Sequence, residues 1–341
     1  MNKKWIKRIC AVMVFLAAVI ITDKIVNSQN VEMTMEMPKA TLPVVSVVAK
    51  DYVINTMYGY TEKREESYTK ENITPIERDR QLTISINEYG NDIETVSYEV
   101  RSTDGERLIE RSDVTILEKN GEETRFTLQL KDLTEENKEY AFVTILGLED
   151  QRKVYYYTRF IEQEEFHLKE KLDFILDFHN TTFDGGDGSS IKKYMETNGK
   201  MDNNNFHYVN INSSIKQVMW DELSVKRIDN PRIMIKDITE STAMAVLQYL
   251  VEIDVDGSKR NAFVEEYFRV RYTPDRIYLL NYERTLEEIF EPGEKNLMND
   301  KIVLGITSDQ VEMQESEGGT NLAFINSDRL FSYNSNDNRI M

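Results

Sequence analysis

A mainly β chain with an α+β part, preceded by a single N-terminal transmembrane helix, is what the sequence predicts. Three observations carry this. An apolar run from Ile9 to Thr22 follows a basic start. From Thr41 to about residue 160, short segments alternate apolar and polar residues between turn signals, the period of half-buried strands. After Ile161 the period becomes helical and then returns to long alternating runs. The expected organisation is a signal anchor or signal peptide over 1–30, a stalk over 31–40, and an antiparallel β-sandwich over 41–160. A helix-on-antiparallel-sheet domain over 161–295 and a short β segment over 296–341 follow.

The N-terminal segment sets the expected address. The 14 positions from Ile9 to Thr22 would rise about 21 Å as a helix, against a hydrocarbon core of about 30 Å. Extending the helix from Trp5 to Val26 gives about 33 Å, with Lys7, Arg8 and Lys24 snorkelling at its ends. Ile9, Val12, Phe15, Leu16, Val19 and Ile20 are the expected anchor residues. The basic cluster Lys3, Lys4, Lys7 and Arg8 stays cytoplasmic, so the body faces out as a single-pass cell-membrane protein. The competing reading is a secreted protein whose signal is cleaved, since the apolar run is short and Val26-Asn27-Ser28 supplies small residues.

Composition narrows the function classes. Five of the 42 basic side chains and one of the 60 acidic ones lie in the first 30 residues, leaving 37 basic against 59 acidic, a net charge of −22. A field of that sign repels nucleic acid, so no nucleic-acid partner is expected. The single cysteine, Cys10, falls inside the apolar segment. The body therefore offers no thiol for disulfides, zinc or nucleophilic attack. Nor is Cys10 a lipoprotein acceptor, because Lys7-Arg8-Ile9 before it is neither small nor apolar.

In the first outer region, alternation is clean at Leu82, Ile84 and Ile86, and again at Phe126, Leu128 and Leu130. Tyr89-Gly90-Asn91, Asp104-Gly105 and Asn120-Gly121 mark turns. Seven or eight strands in about 120 residues predict an antiparallel sandwich, with Val114–Glu118 among the strands. Leu128, Leu130 and Leu133, then an acidic turn, then Tyr140 opening Ala141–Leu146, resemble the end of a fibronectin type III or related immunoglobulin-like domain. That resemblance implies an immunoglobulin-like sandwich with a tyrosine corner, the Tyr140 hydroxyl bonding back to backbone. The early-strand tryptophan of that family is missing, since the only tryptophans are Trp5 and Trp220.

In the second outer region, Leu168, Leu172, Ile175, Leu176 and His179 recur at helical spacing within Glu162–Asn180. A short helix over Ser189–Thr197 is expected, capped by Ser189 or Ser190. Strands are expected at Phe206–Ile211, Lys216–Trp220, Arg232–Ile238, Met244–Val255, Asn261–Tyr272 and Arg276–Tyr282, and a helical turn at Thr285–Phe290. The order resembles a cystatin-like or nuclear-transport-factor-2-like roll, an analogy of fold alone. Beyond Gly293, Asn321–Asn326 and Leu330–Tyr333 resemble the outset of a β-propeller blade, a resemblance that implies an incomplete repeat and longer relatives.

No catalytic residue, metal ligand set or cofactor site is assigned. Glu252, Asp254, Asp256 and Gly257 follow the start of a calcium loop, but the position requiring a bidentate glutamate is Phe263. Asp184-Gly185-Gly186-Asp187 offers only two carboxylates. His179 on the apolar stripe is expected to be a satisfied core residue. Glu265 and Glu266, adjacent on a strand, point to opposite faces. Val264, Glu266, Phe268, Val270 and Tyr272 form the core face; Glu265, Tyr267, Arg269 and Arg271 share the other, the candidate ligand face. The resulting expectation is a non-catalytic, membrane-anchored binding or assembly module of the bacterial cell envelope. Its partners would be the membrane, through the N-terminal helix, and an unknown extracellular protein or polysaccharide. The alternatives are a cell-wall or carbohydrate-active enzyme, or a sensory ectodomain.

Overall fold

The structure is a computed structural model that describes residues 42–289, 297–298, 301–302, 313–326, 329–337 and 339–340, apart from 69, 122, 150, 200–205, 222 and 256. Strands dominate it. The anchor residues Ile9, Val12, Phe15, Leu16, Val19 and Ile20 lie outside the described residues. No helix among the described residues is long and apolar enough to cross a membrane.

Ten strands build the first half: β1 Val44–Ala49, β2 Tyr52–Tyr58, β3 Ile73–Ile76, β4 Gln81–Asn87, β5 Ile93–Ser102, β6 Leu108–Asp113, β7 Glu118–Asn120, β8 Glu123–Gln129, β9 Glu139–Leu148 and β10 Lys153–Glu162. They form two layers, β2-β1-β4-β8-β7 and β3-β10-β9-β5-β6. Inward residues alternate along each strand, as at Thr124, Phe126 and Leu128 in β8, because successive side chains of a strand face opposite ways. Val45, Ile84 and Phe126 of one layer and Tyr98, Phe142 and Tyr156 of the other belong to one buried core. Pro75 sits on β3, which pairs with β10 in parallel at the sheet edge, where a missing N–H costs no ladder bond. The Tyr140 hydroxyl accepts the Glu135 N–H at 3.0 Å. Residues 114–117, where a strand is expected, lie between β6 and β7 instead.

Helix α1 (Leu168–Thr181) starts six residues later than the sequence suggests, because Glu162 still belongs to β10. Its buried stripe is Leu168, Lys171, Leu172, Ile175, Phe178 and His179. Short helices α2 (Ser189–Lys192) and α3 (Ile215–Val218) flank β11 (Tyr208–Asn210). Gly188, at φ 66°, occupies the cap position of α2, and neither Ser189 nor Ser190 does. The expected strand Lys216–Trp220 is helical instead: the Ser214 hydroxyl accepts the Gln217 N–H and starts a turn of helix. Strands β12 (Ser224–Arg227), β13 (Arg232–Ile238), β14 (Thr242–Val255), β15 (Ser258–Tyr272) and β16 (Ile277–Glu288) follow, with β14, β15 and β16 an antiparallel meander. Of the helical turn expected at Thr285–Phe290, residues 285–288 are instead the end of β16, since Leu286 pairs with Val264 and buries its side chain, and Phe290 lies outside the described residues.

The two halves share one sheet. β13 runs parallel to β2 through Ile233 and Ile54, so a single eleven-stranded sheet extends from β11 to β7, with β12 on β14. Asn55 makes the join specific. It sits at a β-bulge in β2 with φ 51°, a conformation that asparagine tolerates better than most residues. Its buried amide donates to the Ile73 carbonyl at 2.9 Å and accepts the Ile235 N–H at 2.8 Å. Residues 39–288 thus form one compact unit around one core. Gly59, just after β2, allows a close approach: a Cβ there would collide with Val154 and the Tyr156 ring.

The second unit contains a small hairpin, β17 (Leu297–Met298) with β18 (Lys301–Ile302). It also contains an antiparallel sheet of β19 (Met313–Glu315), β20 (Asn321–Asn326), β21 (Arg329–Asn334) and β22 (Arg339–Ile340) in chain order. Phe324 and Phe331 stack with ring centres 5.3 Å apart.

Candidate functional site

The densest chemistry lies between α1 and the meander. Glu266 of β15 is fully buried and faces His179 of α1, with Nδ1 to Oε2 at 2.6 Å. The Tyr282 hydroxyl donates to the other carboxylate oxygen at 2.9 Å. Arg227 Nη1 lies 2.9 Å from His179 Nε2. A guanidinium can only donate, so Nε2 must accept and Nδ1 carries the proton given to Glu266. Arg284 is directly opposite Glu266 in the β15–β16 register and is also fully buried. It donates to the Val218 and Gln217 carbonyls at 2.8 and 2.9 Å, and its guanidinium lies 3.4 Å over the Trp220 ring. Burial alone would raise the Glu266 carboxyl. His179, Arg284 and the Tyr282 hydroxyl more than offset that and hold it below the ordinary carboxylate range.

The arrangement has the parts of an acid–base relay, but both histidine nitrogens are engaged inside the protein. The grooves described below are lined by none of these residues. Its chemistry fastens α1 to the sheet. Lys171, one turn from the helix start, does the same at the β13–β14 hairpin. Its ammonium donates to the carbonyls of Phe166, Thr239 and Glu240 at 2.6 to 2.8 Å. Burial pushes the Lys171 pKa down to about 8, against the opposing pull of Glu170 and Glu240.

The structure places Glu265, Tyr267, Arg269 and Arg271 on the side of β15 opposite the buried Glu266, Phe268 and Val270. They do not converge on a cleft. Glu265 accepts from Gln248 at 2.9 Å, and Arg271 lies over the Tyr278 ring at 4.8 Å. Asp184 and Asp187 accept backbone N–H groups of Gly186 and Ser189, two residues on, which makes them turn formers. Among the described residues, no group of three or more histidines and carboxylates is placed to hold a metal ion.

Two grooves open on the outer faces of the sandwich. The first, about 580 Å3, crosses β6, β5, β9 and β10 and is lined by Glu94, Ser97, Arg111, Asp113, Lys153 and Tyr155, among others. Its inner end is Glu99, only 2% exposed, held by Arg101 Nε at 2.6 Å and Arg111 Nε at 2.9 Å. Burial alone would raise the Glu99 carboxyl, but the hydrogen bonds from Arg111 and Arg101 bring it below its usual value. The second groove, about 520 Å3, lies across β2, β1 and β4 and is bordered by Tyr58 and Tyr89. Sequence reasoning missed both tyrosines. The bulge at Asn55 reverses the alternation within β2, so that Val53 and Tyr58, of opposite parity, both turn outward. Tyr89 reads in the sequence only as part of a turn.

Compared with known proteins, the chain matches no family model and no curated sequence.

Proposed function

We propose that this protein is a non-catalytic, extracytoplasmic binding or assembly module of the bacterial cell envelope, held at the membrane by its N-terminal apolar segment. The observation that carries the reading is a separation of chemistry. The buried charged groups of the roll are turned on one another, while polar side chains of both signs line open grooves on the two outer faces of the sandwich. A rigid sheet that presents ready-made grooves suits recognition, since little ordering is needed on binding. We propose further that the sandwich is immunoglobulin-like. The bond from Glu135 to the Tyr140 hydroxyl and the layer order β10-β9-β5-β6 support that reading.

The tether is tested by fractionation. The full-length protein is expected to stay with membranes through a high-salt wash, and protease added outside the cell is expected to remove its body. Recovery of a soluble form beginning at Gln29 would replace the tethered protein with a secreted one.

A further inference from the structure

We infer that the outer face of the first sandwich layer binds a neutral oligosaccharide, across the groove bordered by Tyr58 and Tyr89. The inference rests on reading the chain as a binding module, and not on its membrane tether. Tyr58 and Tyr89 are 56% and 55% exposed, unusually high for large aromatic residues. They border one groove, which scattered surface tyrosines do not do. A sugar ring has an apolar C–H face and a polar rim. A tyrosine offers it a flat apolar surface with little conformational freedom to lose.

The floor between them is suited to the rim. Ser46, Thr56, Ser85, Asn87 and Asn120 bring hydroxyls and amides, which both donate and accept, as a polyol does. These groups are held in place by the sheet: Ser46 bonds Thr56 at 3.1 Å, and Ser85 donates to Glu123 at 2.6 Å. Tyr89 is fixed at φ 46°, and its N–H donates to the Asn87 side chain at 3.3 Å.

Charge selects a neutral ligand. The groove is lined by one carboxylate and one guanidinium, which balance: Glu123 accepts from Ser85 and Arg125, and Arg232 donates to the Tyr58 hydroxyl. The chain's net charge of −18 adds repulsion against polyanions. Length follows from register. Val44 pairs with Tyr58 on one side and Asn87 on the other, so Tyr58 and Asn87 stand two strand spacings apart, about 10 Å, with Tyr89 beyond. A single sugar does not bridge that span, and a short oligosaccharide does.

The test titrates the full-length chain, in mild detergent, with chitotetraose, cellotetraose and maltotetraose, read by calorimetry and ligand-observed NMR. Binding of at least one is expected in the range of roughly 10 μM to 1 mM, as for a small ligand on an open face. Tyr58→Ala and Tyr89→Ala should each weaken it about threefold to tenfold, the worth of one stacking contact, and the double variant should abolish it. Tyr208→Ala, an exposed tyrosine elsewhere, should leave it unchanged, and unaltered melting of all variants shows that they fold. Binding that survives in the double variant overturns the site. If none of the three sugars binds but the detergent-solubilised chain sediments with lipid-free cell-wall material and the double variant does not, the ligand class is wrong and the binding-module reading stands. No sedimentation of the unaltered chain with that material, with no sugar bound, overturns both.

Discussion

Glu266 and Glu99 are both carboxylates enclosed by β structure, yet their counter-charges stand in different places. Around Glu266 the partners are inside: His179, Tyr282 and Arg284 are all fully buried. Around Glu99 the cations arrive from the surface, with Arg101, Arg111 and Lys63 exposed to 15%, 60% and 44%. When Glu99 is lost its cations can turn to water, whereas Arg284 cannot. The consequence of removing a buried charge therefore depends less on its own burial than on the freedom of its partners.

The sharpest break in that comparison comes from Glu266→Gln. It leaves the Arg284 guanidinium buried without its opposing charge and is expected to cost about 3–5 kcal/mol in chemical denaturation at neutral pH. A cost below about 1 kcal/mol would mean that water or a rearranged partner reaches Arg284.

Next in size is a pH effect at Lys171, another buried cation, satisfied by carbonyls instead of a carboxylate. Its folded pKa of about 8 is below the ordinary 10.5. Between those values the unfolded chain holds the proton and the folded one does not, so stability rises with pH. The rise between pH 8 and 10 is no more than about 2 kcal/mol. Above pH 10 the buried Tyr249 and Tyr282, whose pKa values burial raises, act in the opposite direction. Lys171→Met should flatten the profile between pH 8 and 10, and an unchanged slope would remove Lys171 as its source.

The smallest effect is expected at Glu99. Glu99→Gln should cost about 1–2 kcal/mol at low ionic strength and less in molar salt, because its partners are partly solvated and screened. A cost that ignores salt would place those cations in the same sealed class as Arg284.

Much of this architecture is legible in local pattern. Leu82, Ile84 and Ile86 alternate as β4 requires. The turns at Gly257 and Pro274 bound the long meander strands, and the spacing from Leu168 to His179 marks α1. The buried role of His179 follows from its place on the apolar stripe. Long-range pairing is less legible. Nothing near Glu266 in sequence announces that Arg284 stands across from it, and nothing near Ile54 announces Ile233. Residues 41–160 and 161–295 read separately because their periods differ, while the strand bond that joins them is between positions far apart in the chain. The outward tyrosines are hidden for a related reason: one extra residue at Asn55 changes the parity that sequence reasoning depends on.

The Asn55 junction also bears on inheritance. A sandwich that ends in its own closed edges can be cut out of one gene and pasted into another. This one has its β2 edge completed by a strand encoded some 180 residues later, and a buried amide whose acceptor is filled from there. Excised alone, it would carry an open strand edge and an unmet polar group in its core. Recombination at the sandwich boundary would thus be selected against, and the two halves are expected to travel through evolution as one heritable block.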